Sequence, residues 1–456
     1  MAKRSIKKEK NLRIELPDNV KLIISELEKA GYEAYAVGGC VRDSLIGRIP
    51  GDWDITTSAL PQDIKRTFRR TVDTGIEHGT VTVLIGNSSY EVTTYRIDGE
   101  YKDSRHPSSV RFTDAISEDL RRRDFTINAM AYNDKSGIVD LFGGREDLET
   151  GVVRCVGDAN ERFDEDALRI LRAVRFAAQL DFDIDSMTRD AIAQHAPRLK
   201  AVSKERVLVE ISKLICSAHI ERIADIFQLG IVPYIAKHFR EINIAQIAEL
   251  KRSAVEAYAG YEFDHEETIG ETEADENDES FIPESAFNLC MACPVKYRYI
   301  RFAYLTEGMD ADNIDAMLKD LKSDNITRKN TVILARHILT AIAPDQTKLK
   351  RVMSEMEPEL FVGLLKMKLI SSRTRAYQLK CADGSEDLRE LFMIAEQIDR
   401  NDEPVYLSEL AVSGADIISE GIGEGPEIGR LLHKMQEAVW AVPEHNTKEW
   451  LLANIR

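Results

Sequence analysis

The stretch GGCVRDSLIGRIPGDWDITTS, residues 38–58, determines the fold that we expect for the N-terminal part of the chain. Upstream of it, AYAV has the pattern of a short strand, and the paired glycines allow a tight turn into the helix that VRDSLIG predicts. GDWDITTS then alternates as a strand does. On a strand, Asp52 and Asp54 project from the same face because they stand two residues apart. Trp53 and Ile55 would then point into the core.

The two aspartates predict a metal site. Neighbouring carboxylates repel each other unless a cation lies between them. Mg²⁺ prefers a few carboxylates together with substrate phosphates, and two such ions can activate an attacking oxygen and neutralise a leaving pyrophosphate. The helix that follows Gly39 can bind an anion through its first N–H groups, and Arg42 can bind a phosphate bidentately. The order strand, glycine turn, helix and acidic strand therefore predicts a triphosphate beside two metal ions on Asp52 and Asp54.

The segments around this stretch predict a small domain of helices and strands. NVKLIISELEKA (19–30) has helical periodicity. HGTVTVLIG (78–86) and YEVTTYR (90–96) are rich in valine and threonine, and they predict a hairpin whose turn is residues 87–89. After Gly157 helical patterns dominate. We therefore expect an α+β head with a mixed or antiparallel sheet, followed by all-α regions.

Composition and cysteines indicate a cytoplasmic protein. Of 456 residues, 43% are hydrophobic and 30% charged, as in ordinary soluble proteins. No apolar run reaches the roughly 18 residues of a membrane helix, and the N-terminal segment has no apolar signal-peptide core. The six cysteines form no disulfide framework. Cys290 and Cys293 form one CxxC without a second ligand pair, so we expect no zinc site.

The formal net charge of −17 does not exclude a nucleic-acid partner. Residues 262–284 hold 11 acidic and no basic side chains, so the rest of the chain carries −6. We expect this acidic insert to be a solvated loop away from the substrate. Arginine clusters at 121–123 and 169–175 can still meet phosphates.

Three motifs carry a family resemblance. GGCVRDSLIGRIPGDWDITTSALP (38–61) resembles the signature of the DNA polymerase β-like nucleotidyltransferases. More narrowly, it is similar to the class II (bacterial-type) tRNA nucleotidyltransferases and the related bacterial poly(A) polymerases. RRRDFTINAMAYN (121–133) and RFDEDALRILRAVRF (162–176) resemble further motifs of that family, in the family's order. The resemblance implies catalytic and Mg²⁺-ligand roles for Asp52 and Asp54, with Glu91 as the candidate third carboxylate. It implies nucleotide contacts for Gly39, Arg42, Arg123, Asp124, Asn128, Asp166, Arg169, Arg172 and Arg175.

The chemistry of Asp166 and Arg169 suits the base selection that the resemblance implies. Spaced i,i+3, they would share one helix face and hold each other in place. Cytosine and adenine both offer an amino donor beside a ring-nitrogen acceptor, which complement a carboxylate and a guanidinium. Uracil and guanine reverse this pattern, and each unmet polar group costs about 1–3 kcal/mol. The pair could therefore accept C and A without a nucleic-acid template.

Other segments resemble parts of the same family. YRIDGEYKDSRHPSSVRF (95–112) resembles the flexible loop that helps the site change from cytosine to adenine. SKERVLVEISKLI (203–215) is similar to a motif that supports the neck helices, without a catalytic duty. The final stretch resembles a tail that grips the tRNA elbow.

The resemblance implies a four-part architecture. We expect a nucleotidyltransferase head at 12–150, a helical neck for base recognition at 151–220, a helical body at 221–370 that contains the insert, and a tRNA-binding tail at 371–456. The expected activity is addition of CCA to the 3′ end of tRNA from CTP and ATP, with two Mg²⁺ ions. A monomer and a homodimer are both open.

Three alternatives stay open at this point. An A-adding tRNA nucleotidyltransferase or a bacterial poly(A) polymerase would share these motifs. The sequence lacks a strongly basic C-terminal extension, which argues against poly(A) synthesis. A nucleotidyltransferase acting on a small molecule or protein would not need the base-selecting motif or the long helical regions. A catalytically silent RNA-binding protein would not need paired carboxylates.

Overall fold

The computed structural model describes residues 13–99, 110–217, 219–245, 247, 298–338, 340–365, 367–368, 385–421 and 425–454. The acidic insert, Cys290 and Cys293 lie outside the described residues. Internal contacts divide the chain into two compact units, one formed mainly by residues up to Arg240 and the other mainly by residues from Glu241 onward. The four-part division stays a prediction.

The first unit begins with an α+β region, which confirms the expected head. Its strands are β1 (Ala34–Val37), β2 (Ile55–Thr57), β3 (Thr71–Gly75), β4 (Thr80–Ile85), β5 (Ser88–Thr94), β6 (Arg96–Asp98), β7 (Val110–Phe112), β8 (Met130–Asn133) and β9 (Gly137–Asp140). Seven of them form one sheet in the order β3-β4-β5-β2-β1-β8-β9. Only the β2–β5 pair of this sheet is parallel, so the sheet is mixed.

The head contains helices as well as this sheet, and mainly helices follow it along the chain. The head contains α1 (Asp18–Lys29), α2 (Gly39–Leu45), α3 (Pro61–Thr67), α4 (Ile116–Arg121) and α5 (Gly144–Thr150). After it come two short parallel strands, β10 (Val152–Val153) and β11 (Asp183–Ile184). The remaining helices are α6 (Ala159–Glu165), α7 (Leu168–Leu180), α8 (Ser186–His195), α9 (Lys204–Ile215) and α10 (Ala224–Gln228). Helix α7 is almost wholly buried, and its buried residues include Arg169 and Arg175.

The hairpin of β4 and β5 is confirmed, but its turn is not the predicted one. Ile85 pairs with Ser88, so the turn consists of Gly86 and Asn87, and Ser89 belongs to the strand. Gly86 has φ +61°, which a two-residue hairpin turn requires and which glycine adopts without strain. The serines therefore continue the ladder.

The predicted flexible loop begins and ends in a small hairpin. Strands β6 and β7 pair antiparallel, from Arg96 opposite Phe112 to Asp98 opposite Val110. Residues 100–109 lie outside the described residues. The ends of this segment are thus held together at the head.

The second unit is helical in its described parts. Its helices are Arg298–Leu305, Ala311–Asp320, Asn325–Ile338, Gln346–Ser354, Ser385–Arg400, Gly414–Ser419, Pro426–Ala441 and Lys448–Ala453. One core cluster joins Leu334, Leu364 and Leu391, and a second joins Ile417, Val439 and Leu451. None of the described helices combines the length and the apolar character needed to cross a membrane.

Candidate active site

Asp52 and Asp54 lie just before β2, which corrects the prediction that both stand on a strand. β2 begins at Ile55, where Ala36 of β1 is its partner. Beyond this pair β1 turns away at Gly38, although the Val37 N–H still donates to the Asp54 carbonyl, at 2.9 Å. Both carboxylates are exposed. Ile55 is buried as predicted, but Trp53 is only half-buried and does not belong to the core.

Glu91 lies on the strand next to this segment. In the parallel pair of β2 and β5, Ile55 is opposite Val92 and Thr56 is opposite Thr93. The residues one step earlier are Asp54 and Glu91, so they leave the sheet on the same face. Glu91 is exposed, whereas Val92 is fully buried. This register supports Glu91 as the third carboxylate, although the role stays a prediction.

The electrostatics of Asp54 test whether these side chains suit a cation. Desolvation raises the pKa of Asp54 to about 6, the negative charges of Asp52 and Glu91 add to the increase, and Arg123 opposes it. Within the described ranges, no three acidic, histidine or cysteine groups come close enough to form a metal cluster. The three carboxylates offer only hard oxygen donors and repel one another, which fits Mg²⁺ in chemistry and charge.

Arg123 is the cation whose charge lowers the pKa of Asp54. Its Nη2 donates to Asp119, at 3.3 Å. Its Nε is buried without a hydrogen-bond acceptor among the described residues. A Cβ on Gly38 would lie 3.0 Å from Arg123 Nη1, and Gly38 has φ +83°, so this turn needs glycine for both reasons. Arg123 therefore keeps donors for an anion beside the glycine turn.

Asp119 is the carboxylate that positions Arg123. It is fully buried on α4 and accepts hydrogen bonds from Arg122 at 2.7 Å and from Thr56 Oγ1 at 3.1 Å. Burial raises the pKa of Asp119, but Arg122 and Arg123 outweigh this effect, so the pKa is lowered overall. Sequence analysis did not single out Asp119, because an Asp in a helical stretch looks like an exposed surface residue.

A chain of contacts connects α2 to the neck. Arg42 Nη1 donates to Asn128 at 2.6 Å, and Arg42 Nε and Nη2 donate to Asp43. Asn128 donates to Asp124 at 3.2 Å, and Asp124 accepts from Arg172 at 2.5 Å. Arg42 is 9% exposed and keeps two of its five N–H groups for a ligand. Gly39, one turn earlier, leaves ordinary van der Waals space beside Arg42 Nη2.

Asp124 is a paired, buried carboxylate. Burial raises its pKa, but Arg172 and Arg169 and the hydrogen bond from Asn128 outweigh this, so the pKa lies well below its usual range. Nearby, Arg175 Nε donates to Glu210 of α9 at 2.5 Å, and both side chains are buried. These ion pairs fix the arginines of α7 in position before any ligand binds.

Asp166 and Arg169 do not hold each other, contrary to the predicted shared helix face. Asp166 follows the last residue of α6 and has extended backbone (φ −143°, ψ 103°), because α6 and α7 are two separate helices. Its carboxylate accepts from the Leu168 N–H and from Arg206, at 2.7 Å. Arg169 instead pairs with Glu165 at 2.5 Å and donates to the Arg122 carbonyl at 2.8 Å.

Arg206 and Glu210 are functional candidates that sequence analysis missed. Both lie on α9, one turn apart, and each pairs with a residue of the motif at 162–176: Arg206 with Asp166, and Glu210 with Arg175. Their i,i+4 spacing in SKERVLVE is visible in the sequence. Nothing in a single sequence, however, identifies the partner of a charge on another helix.

Two family models match the chain. Residues 34–154 match the poly A polymerase head domain, and residues 181–242 match the probable RNA and SrmB-binding site of polymerase A. The first covers the carboxylates and the Arg123–Asn128 segment, and the second covers Arg206 and Glu210.

Named relatives and solved structures agree with these matches. A CCA-adding enzyme of Lactiplantibacillus plantarum is 53% identical over 199 residues, so the match spans about half of that protein (49%) and 44% of this chain. A CCA-adding enzyme of Streptococcus agalactiae is 34% identical over 91% of each chain. The crystal structure of the Bacillus stearothermophilus CCA-adding enzyme in complex with CTP has a TM-score of 0.66 and 29% identity, and covers 95% of this chain and 96% of that one. The chain therefore belongs to the CCA-adding enzyme family.

Proposed function

We propose that this protein adds C, C and A in turn to the 3′ end of tRNA, using CTP and ATP and releasing pyrophosphate. The observation that carries the proposal is the contact between Arg169 and the Arg122 carbonyl. Arg122 directly precedes Arg123, whose guanidinium lies at the Gly38 turn and acts on Asp54. Arg169 of the base-selecting motif is thus bound to the residue that precedes Arg123, and Arg123 acts on the acidic group.

In the head, the side chains position the reacting groups. Arg123 and Arg42 would bind the triphosphate, with the backbone of Gly39 beside it, while Asn128 and Asp124 would orient Arg42, Arg172 and the nucleotide. The 3′-hydroxyl of the RNA would attack the α-phosphorus, and the bond from that phosphorus to the pyrophosphate oxygen would break. Asp52, Asp54 and Glu91 would hold Mg²⁺, which when bound acidifies the attacking hydroxyl and neutralises the leaving pyrophosphate.

In the neck, Asp166 and Arg169 would select the base. Each already has its own partner, Arg206 for Asp166 and Glu165 for Arg169. A carboxylate has about four acceptor sites and a guanidinium five N–H groups, so both keep capacity for a base edge. Because each is fixed separately, they present an acceptor and a donor at a set spacing. This supports selection of C and A over U and G.

The partners and substrates would be tRNA, CTP and ATP, with two Mg²⁺ ions as the cofactor and the cytoplasm as the location. Because the chain is acidic overall, RNA binding would depend on a few arginines in defined positions. We therefore expect RNA affinity to fall with salt, although less steeply than for a basic protein with many phosphate contacts.

The direct test uses a tRNA transcript that lacks its 3′ CCA, with magnesium and each nucleotide singly or together. We expect two C residues from CTP alone, one further A when ATP is present, and then a stop. Addition of A only after a preformed CC would instead indicate an A-adding enzyme, and long A tails a poly(A) polymerase. RNA binding without any addition would indicate a silent RNA-binding protein. Each of these outcomes contradicts the proposal.

A further inference from the structure

Phe176 is a buried residue to which the sequence assigned no role. It ends the RAVRF part of the base-selecting motif on α7 and is 5% exposed. The guanidinium carbons of three arginines lie over its ring: Arg175 at 3.9 Å, Arg42 at 5.1 Å and Arg172 at 5.4 Å from the centroid. All three distances fall within the roughly 6 Å over which a cation is attracted to an aromatic face. Arg42 comes from the head, and the other two come from α7.

Each of the three arginines also has a carboxylate of its own. The pairs are Arg42 with Asp43, Arg172 with Asp124, and Arg175 with Glu210. The carboxylates compensate the charges, but they belong to three different parts of the fold. The ring of Phe176 is the one group that the three guanidiniums share among the described contacts. It therefore links a head arginine to two neck arginines.

The ring itself is held by the segment that carries Asp124. Phe125 meets Phe176 edge to face, with centroids 5.8 Å apart and planes at 80°. Phe125 is fully buried, and its N–H donates to Asp124 Oδ1 at 2.8 Å. An edge-to-face pair fixes the plane of the second ring, and hence where its electron-rich face points.

We propose that Phe176 is a positioning residue that couples Arg42 to Arg172 and Arg175 through its aromatic face. Its role is to keep the triphosphate end and the base end of the nucleotide in one register. The proposal rests on the proposed function, because the nucleotide contacts of these arginines are part of it. An aliphatic side chain of similar size would fill the same space, but it would not attract the guanidiniums.

The test separates the electronic role of the ring from its packing role. Phenylalanine at position 176 is replaced by fluorinated analogues, which keep the shape but weaken the attraction for cations, and by Phe176→Leu and Phe176→Tyr. Phe239→Leu is the matched control, since Phe239 is a fully buried aromatic outside the three motifs, packs against the ring of Phe227, and has no guanidinium over its ring among the described residues. The readouts are KM and kcat for CTP and ATP, thermal stability, and CTP affinity by calorimetry without RNA.

We expect KM for both nucleotides to rise with the number of fluorine atoms, and to rise about tenfold in Phe176→Leu, since cation–π contacts are individually modest. At saturating nucleotide kcat should stay within about twofold, because the carboxylates are untouched, and Phe176→Tyr should restore KM. Phe239→Leu should lower thermal stability without raising KM.

KM and CTP affinity that do not respond to fluorination, or a Phe239→Leu variant with the same rise in KM, would overturn the coupling role. CTP affinity is measured without RNA, so it tests Phe176 even if the wild-type chain extends no tRNA. That last result would contradict the proposed function alone.

Discussion

The carboxylates around Asp54 and those that pair with the arginines of α7 stand in opposite electrostatic situations. Asp54 is exposed and has no ion pair among the described residues, and the charges of Asp52 and Glu91 add to the desolvation that raises its pKa to about 6. Asp124 and Glu210 are buried, and arginines pair with both, so that the pKa of Asp124 falls well below its usual range. The ion pairs of α7 are therefore complete before the nucleotide arrives, whereas the carboxylates around Asp54 would need a cation to offset their repulsion.

This contrast matches the work that each region would do. Base selection needs fixed hydrogen-bonding groups, and ion pairs with protein partners supply them. Phosphoryl transfer needs positive charge that sits between substrate and carboxylates, and oxygen ligands left free of protein partners can hold it. Substitutions of the same residue type should thus act differently in the two regions.

The largest effect is expected from the head carboxylates. Changing Asp52 and Asp54 together to alanine removes the proposed metal ligands, so nucleotide addition should fall by about 1,000-fold or more, which corresponds to some 4 kcal/mol of transition-state stabilisation. Binding of tRNA, followed by gel shift, should be retained. The control is Asp73→Ala, which should leave addition unchanged. Asp73 lies on β3 and forms an exposed ion pair with Lys65. Substantial turnover in the double variant would refute the metal assignment.

The next largest effect concerns stability at the ion pairs of α7. Asp124→Ala removes a buried carboxylate that pairs with Arg172, whose side chain is 34% exposed and also lies 3.9 Å from Glu210, so the free energy of unfolding should fall by about 1–3 kcal/mol. Denaturant unfolding should show this loss. Asp54→Ala in the same assay should show no loss. Equal losses at the two positions would remove the contrast between the paired carboxylates and those around Asp54.

A smaller effect is expected at Arg123. Arg123→Ala removes the guanidinium beside the glycine turn, and the lost charge-assisted hydrogen bonds to the triphosphate should raise KM for CTP and ATP alike by about 10- to 30-fold. Steady-state kinetics with each nucleotide gives this number. A rise for one nucleotide only would assign Arg123 to base selection instead of triphosphate binding.

The smallest expected effect is a change of stability with pH at Asp54. Its pKa is about 6 in the folded chain, against about 3.9 in an unfolded one. The folded state therefore binds more protons between these values, so charged Asp54 lowers stability above pH 6, and this cost disappears as the pH falls toward 4. Because Asp54 is exposed, solvent screening keeps the cost near or below about 1 kcal/mol.

Asp54→Asn should accordingly raise the melting temperature of the metal-free protein at pH 7.5, but not at pH 4.5. Millimolar Mg²⁺ should remove the difference at pH 7.5 by stabilising only the wild type. Scanning calorimetry at the two pH values measures this. A destabilising Asp54→Asn at pH 7.5 would mean that the carboxylate already has a partner.

Much of the head could be predicted because its chemistry is local in the sequence. The paired glycines, the two aspartates and the alternating strands lie within a few residues of one another, so their spacing fixes how they fold. The prediction was wrong where tertiary pairing decides the outcome. β2 starts only at Ile55 because β1 ends at Val37, and the hairpin turn falls on Gly86 because it needs a positive φ.

The neck was harder to predict because its contacts are long-range. The i,i+3 spacing of Asp166 and Arg169 suggested a mutual pair, but a helix break at Asp166 gives each a different partner. Arg206 lies 40 residues from Asp166. Periodicity describes one helix at a time, so it cannot identify which charges on two helices meet. The contact between Arg42 and Phe176 is likewise long-range, so no local pattern predicts it.

The central claim is that the neck selects the base while the head performs the transfer, and Asp166→Ala tests it most directly. The measurement is single-turnover addition of CMP, AMP, UMP and GMP to tRNA lacking its CCA, with wild-type protein in parallel. We predict that the ratio of UMP to CMP addition rises about tenfold or more, the value of one unmet polar contact, while the rate with CTP falls much less. An unchanged ratio with a general loss of rate would contradict the claim and assign Asp166 to structure or chemistry.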